Sequence, residues 1–223
     1  MTLRPHPLWQ RLGGLAVFAG GVTWVALAVR VGTLTAPTVA GWLAAGLGLV
    51  FGWALADLVS GLFHYWADEL ASEHTPWLGR NLIVPFREHH HDPLAMTQHG
   101  VGETNGDNAL GALLVMVAFL ALGPAGPGSA LQAALAAGVL GFSGAVLLTN
   151  QIHKWAHVRH APRAVRFLQR HRVLLAPVHH AQHHRAHDRA YCITSGWFNP
   201  FLDRILPRRP HLAETRRQPR SIP

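Results

Sequence analysis

Seventeen histidines occur among 223 residues, and most fall in four clusters beside apolar stretches. His64 stands four residues before Asp68 in FHYWAD. His89, His90, His91 and His99 lie in REHHHDPLAMTQH. His153 and His157 lie in HKWAH, and His179, His180, His183, His184 and His187 in HHAQHHRAH. Neutral imidazole is the commonest nitrogen ligand for transition metals. Spacings of three and four residues set side chains on one face of a helix. His64 with Asp68, His153 with His157, and His180 with His183 and His184 can therefore each converge. The adjacent His89 and His90 point different ways, one suited to a metal and the other to orienting a neighbouring ligand. So many imidazoles, with carboxylates nearby, exceed what one tetrahedral zinc needs. Such sites suit iron, copper or zinc. A pair of irons would reduce dioxygen to attack an unactivated C–H bond, whereas a pair of zincs would hydrolyse.

The elements that must position these groups are apolar. Hydrophobic residues make up 49% of the chain and charged residues 13%, which is lean for a soluble protein. Residues 12–29, 31–56 and 109–152 carry no charge. A bilayer-spanning helix needs about 20 mostly apolar residues, and Gly123-Pro124-Ala125-Gly126-Pro127-Gly128-Ser129 is a turn sequence that divides the last stretch in two. The expectation is four transmembrane helices, near 12–30, 38–58, 108–123 and 130–150. A soluble helical protein would need a far larger polar shell to bury such stretches. Arg4 and Arg11 ahead of an apolar run resemble a signal peptide, but with no small-residue cleavage site the run reads as a retained first helix.

Of 19 Lys and Arg residues, 14 lie at or after Lys154, which by the positive-inside rule makes that portion cytoplasmic. Four spans return Arg4 and Arg11 to the same side, together with all four histidine clusters. The fold expected is all-α: an integral membrane protein with about four transmembrane helices and a cytoplasmic histidine-rich helical cap. It occupies residues 1–207, followed by a basic, disordered tail at 208–223. The net charge of +8 suits anionic lipid head groups or an acidic electron carrier rather than nucleic acid. The single Cys192 excludes an internal disulfide and a Cys-rich metal site.

The strings DLVSGLFHYWAD, PFREHHHDPLAMTQHGVGETNGDN, LTNQIHKWAH, and HHAQHH followed by YCITSGWFNP are similar, in order and spacing, to those of the plasmanylethanolamine desaturase (Kua-type lipid desaturase) family. They run from Asp57 to Pro200, about two-thirds of the chain. The resemblance implies an oxygen-dependent non-haem diiron membrane enzyme with two iron ions as cofactor and dioxygen as co-substrate. It would form the vinyl ether of a plasmalogen from the 1-O-alkyl chain of an ether phospholipid. A related branch desaturates acyl chains of phosphatidylglycerol. Electrons would come from a separate cytochrome b5-like or ferredoxin-like carrier.

Carried over position by position, the family's histidine motif falls on His64, His89, His90, His99, His153, His157, His179, His180, His183 and His184. Of these, His64, His90, His153, His157, His180, His183 and His184 are expected as direct ligands, and His89, His99 and His179 as ligands or their supports. Asp68 matches a family acid that ligates or orients His64. Asn105, Asp107 and Asn108 either anchor an imidazole or a water, or cap the third span. His91 stands where the family has an aliphatic residue, and His187 falls outside the motif. His6, His74, His160, His171 and His211 read as surface residues. Arg87, Lys154 and Arg185 are candidate contacts for a lipid phosphate. The glycines of the second span (Gly41, Gly46, Gly48, Gly52) suggest close helix packing. Competing readings are acyl desaturation or hydroxylation of a phospholipid, and metal transport. Transport is disfavoured because spans on an ion pathway carry ionisable residues, which are scarce here.

Overall fold

The computed structural model describes residues 7–35, 37–124 and 128–208. The tail expected beyond Arg208, with His211, and the N-terminal His6 lie outside the described residues. Among those described there are helices and turns and no strand. In chain order the helices are α1 (Pro7–Leu34), α2 (Val39–Tyr65), α3 (Val84–Glu88), α4 (Val101–Leu122), α5 (Ala130–His157), α6 (Arg163–Arg170), α7 (Pro177–Ala186) and α8 (Asn199–Ile205). The chain forms two compact units, one from residues 1–57 and 98–154, the other from residues 58–97 and 155–223.

The first unit contains α1, α4, most of α2 and most of α5. Four helical segments are long and apolar enough to cross a bilayer: Gln10–Leu34, Val39–Leu70, Val101–Leu122 and Ala130–His157. Their outward faces carry Phe18, Leu47, Phe51 and Leu114, each more than two-thirds exposed. Helices apolar on the outside as well as the inside need lipid around them, so this is an integral membrane protein. Inside, Leu27, Val31, Leu34, Ala112, Met116, Ala133, Ala136 and Leu140 form one core. Gly48 and Gly52 of α2 lie against the backbone of Ala134 and Gly138 on α5, where a Cβ has no room. Gly46 faces open space, so only part of the glycine stripe is there for packing.

The third span starts earlier than its uncharged run suggests. α4 begins at Val101 with Gly100 as its N-cap, which overturns a capping role for Asp107 or Asn108. The extension is possible because Gly102 and Gly106 lie against Gly13 and its neighbours on α1. Helix hydrogen bonds then carry a polar stretch that hydropathy assigns to a loop. Asn105 Nδ2 donates to Val101 O (3.0 Å) and Gln151 Oε1 (3.3 Å), and Asn108 Nδ2 to Val146 O (3.1 Å). Both asparagines thus tie α4 to α5. Asp107 is exposed at a cavity between α1 and α4 that Glu103 also lines. The fourth span likewise runs on to His157, so its two histidines ride the last turns of the helix, on one face as their spacing predicts.

The second unit gathers the remaining short helices. Trp66–Leu70, continuing α2, is a π-helical turn carrying Asp68. Insertions of this kind recur at functional sites. Arg87 holds it: Nε donates to Ala67 O (3.0 Å), one terminal nitrogen to Ala71 O (2.7 Å), and the other pairs with Glu73 (3.1 Å). The guanidinium expected at a lipid phosphate is turned onto the backbone beside Asp68. Residues 190–195 form a buried, non-helical segment. Its N–H groups donate to Asp203 Oδ1 at Ala190 (2.8 Å), Asn199 Oδ1 at Cys192 (2.8 Å) and Ser60 Oγ at Ile193 (3.2 Å). Gly61 leaves the space that the Cys192 Sγ and a Leu202 methyl occupy.

Candidate metal centre

Two groups of donors converge within the second unit. In the first, His64, Asp68, His90 and His183 each offer an atom within 4.8 Å of the others. Asp68 Oδ2 is at the hub, 3.3 Å from His64 Nε2, 3.4 Å from His183 Nε2 and 3.6 Å from His90 Nε2. The His90 and His183 Nε2 atoms are 3.2 Å apart. All four side chains are at most 2% exposed.

The outer nitrogens decide the proton positions. His64 Nδ1 donates to Tyr191 O (2.9 Å) and His183 Nδ1 to Arg189 O (2.8 Å). In a neutral ring that leaves Nε2 as a lone pair, and both lone pairs face a carboxylate oxygen. A proton on His90 Nε2 would satisfy one contact and leave the others acceptor against acceptor. Burial lowers the pKa of His90, so extra protonation there is disfavoured. A bound cation is what satisfies every donor at once, and a carbonyl fixing the far ring nitrogen is the usual support of a metal-bound histidine.

In the second group, His89, His157, His180 and His184 converge to the same tolerance. His157 Nε2 and His180 Nε2 are 2.8 Å apart, and His180 Nε2 and His184 Nε2 are 2.9 Å apart. Nitrogens at about 2.1 Å from one ion, at right angles, lie about 3.0 Å from each other. His89 Nδ1 donates to Phe86 O (2.6 Å), the same device as before. Burial pushes His89 down to about 3 and His184 down to about 2. Both rings are neutral at ordinary pH, the form that ligates. His153, buried, precedes His157 by one turn on α5 and shares its face. The donor set fits two transition-metal ions, one held by imidazoles alone and one by imidazoles with a carboxylate.

Local sequence explains each placement. His64 and Asp68 are four residues apart across the α2–π junction. His180, His183 and His184 occupy successive turns of α7, which starts at Pro177. His89 and His90 follow α3, and being adjacent they serve different groups. His99 is exposed and 3.4 Å from Glu103, and belongs to neither group. His179 is half-buried and also belongs to neither. His74, His160 and His171 are exposed, as expected, and His91 is exposed too. His187, which the motif leaves out, stacks on His90 with ring centres 4.9 Å apart. Lys154 Nζ donates to His99 O (2.6 Å), and Arg185 is exposed.

Sequence reasoning missed the supports: the carbonyls of Phe86, Arg189 and Tyr191. A carbonyl has no residue-type signature. The one available signal is Tyr191, whose ring lies 5.8 Å from that of His64 and 5.2 Å from that of His183. Its hydroxyl donates to His187 O (3.0 Å), and burial with nearby carboxylates pushes its pKa up.

The lipid desaturase domain family matches residues 53–206. Plasmanylethanolamine desaturase from Myxococcus xanthus is 42% identical over 158 residues, which is 70% of this chain and 55% of the relative. Mouse plasmanylethanolamine desaturase 1 is 41% identical over 163 residues, covering 71% and 60%. The chloroplastic fatty acid desaturase 4 of Arabidopsis thaliana is 32% identical over 208 residues, covering 89% and 57%. The chain thus spans between half and two-thirds of the length of these curated relatives. No solved structure matches it significantly.

Proposed function

The chain belongs to the lipid desaturase family, and from that premise we propose that it forms the vinyl ether of a plasmalogen from the 1-O-alkyl chain of an ether phospholipid. The observation that carries the reading is the convergence of two donor groups, one buried and one partly buried, in one unit. His64, Asp68, His90 and His183 would hold one iron, and His89, His157, His180 and His184 would hold the other. When bound, the irons supply the redox chemistry by which dioxygen is reduced to two waters. The two hydrogens leaving the alkyl chain account for half of the four electrons required. The remaining two electrons, with two protons, come from an outside donor.

The protein's own residues do the rest. Carbonyls of Phe86, Arg189 and Tyr191 keep the imidazole lone pairs aimed inward, and Arg87 holds the turn that presents Asp68. Burial keeps water from the first group and lowers the pKa of His89, His90 and His184, which favours their neutral, ligating form. The alkyl chain reaches the centre from the bilayer that surrounds the apolar helices. By the positive-inside argument the centre faces the cytoplasm. The ether substrate is favoured because two relatives, each above 40% identity, carry that activity in their names. Acyl desaturation is the second reading, favoured by the Arabidopsis match, which covers 89% of this chain.

Expression in a host without plasmalogens, supplied with an alkyl-ether phospholipid, tests the proposal. An acid-labile product two hydrogens lighter supports it. An ether lipid recovered unchanged from an iron-loaded, membrane-inserted protein with a working donor refutes it. A lighter ester lipid in its place selects the second reading.

A further inference from the structure

We infer that the outward face of α6 docks an acidic, electron-carrying protein, an inference that rests on the desaturase reading above. In chain order α6 lies between the two helices that supply most of the second imidazole group: His157 ends α5, and His180 and His184 sit on α7. Its inner face buries Val165 and Gln169. The Gln169 amide donates to Trp155 O at 3.4 Å, two residues before His157. What rests on α6 is therefore one hydrogen bond and two residues of chain from a member of the donor group.

The outer face is built for an anionic partner. Arg163, Arg166 and Arg170 are exposed around Phe167, itself 60% exposed, with Arg159 before them and Arg172 after. Among the described residues, the ion pairs of arginine engage Arg87 and Arg189 and none of these five. No Asp or Glu occurs between Asp107 and Asp188, so the patch has no counter-charge on its own stretch of chain. Like charges held together repel, and an acidic partner relieves that repulsion. An exposed aromatic ringed by arginines is the usual make-up of an interface centre, and the surrounding charge steers encounter. The end of the patch is pinned, because Arg172 O accepts the Trp197 indole N–H at 2.6 Å.

An anionic lipid surface would also meet the charge requirement. Position favours a protein: electrons must be delivered close to the imidazole groups, and α6 is joined to both ligand-bearing helices by short connections. The partner is a one-electron redox protein with an acidic surface. It is oxidised in two successive dockings per turnover, which supplies the two outside electrons.

The test places the full chain in nanodiscs of neutral phosphatidylcholine and measures binding of two acidic probes, the soluble haem domain of cytochrome b5 and a [2Fe–2S] ferredoxin. At least one should bind, more weakly as salt rises. Arg166→Glu with Arg170→Glu should weaken that binding about tenfold or more and slow reduction by the carrier in parallel. Metal content and reduction by dithionite should stay unchanged. Phe167→Ala should cost several-fold without altering the salt dependence. The proposal is overturned if neither carrier binds the wild type, or if the double variant binds as the wild type does. It is equally overturned if the variant loses only its adsorption to phosphatidylglycerol vesicles. Salt-sensitive carrier binding to a protein that dithionite cannot reduce would instead refute the desaturase reading and leave the docking face standing. The milder Arg166→Gln with Arg170→Gln separates a folding defect from lost docking.

Discussion

Replacing Asp68 by Asn should remove one metal ion and spare the other. Among the described residues Asp68 is the sole carboxylate in either donor group, and its Oδ2 faces three imidazole nitrogens at 3.3 to 3.6 Å. Asparagine keeps the shape and an oxygen lone pair but loses the negative charge. Removing a group that merely orients a ligand costs about 10–100-fold in metal affinity. A donor at the hub of its group should cost at least the upper end, about 2.7 kcal/mol. The imidazole-only group has no carboxylate to lose. The metal-to-protein ratio, measured by mass spectrometry after desalting against a weak chelator, should fall from about two ions per chain to about one. Thermal stability of the metal-free protein should change little by comparison. Two ions retained at full affinity would refute the place given to Asp68. Loss of both ions would refute the division into two separable groups.

Other outcomes follow from the same geometry. His157→Ala or His184→Ala should abolish product while the protein still inserts, whereas His91→Ala and His99→Ala, both exposed, should retain activity in the same lipid assay. Gly52→Ala forces a Cβ onto the backbone of α5, while Gly46→Ala meets nothing. The first should cost about 1–3 kcal/mol, read as a lower melting point in detergent, and the second should leave it unchanged. Burial lowers His89 to about 3 and His184 to about 2 from 6.5. The unfolded chain therefore binds protons below pH 6.5 that the folded chain refuses. Metal-free protein should hold a constant melting point above pH 7 and lose stability as pH falls through 6 toward 4. A flat profile over that range would refute neutral burial of these rings.

The apolar spans and the histidine clusters were both legible in the amino-acid order, because each is written in local pattern. Uniformly uncharged runs of sufficient length have few places to go but a bilayer, and four such segments are there. Spacings of three and four residues made His64 with Asp68, and His180 with His184, readable as partners before any fold was known. Two helices run past their apolar stretches. The start of α4 is a polar stretch that stays helical, held by glycine contacts and by Asn105 and Asn108 reaching α5, whose own last turns carry His153 and His157. Hydropathy does not register such contacts.

Partition among the clusters was a matter for tertiary structure. Adjacent His89 and His90 join different groups, and His183 and His184 on one helix do the same. Asp68 becomes a hub because a π-helical turn, held by Arg87, brings its carboxylate among three rings from separate segments. His99 carries the family motif yet stays at the surface beside Glu103. Residue type and spacing define what a side chain can do and which neighbours on its own helix it can reach. Which ion it serves depends on distances between segments far apart in the chain, and on carbonyls that every residue possesses alike.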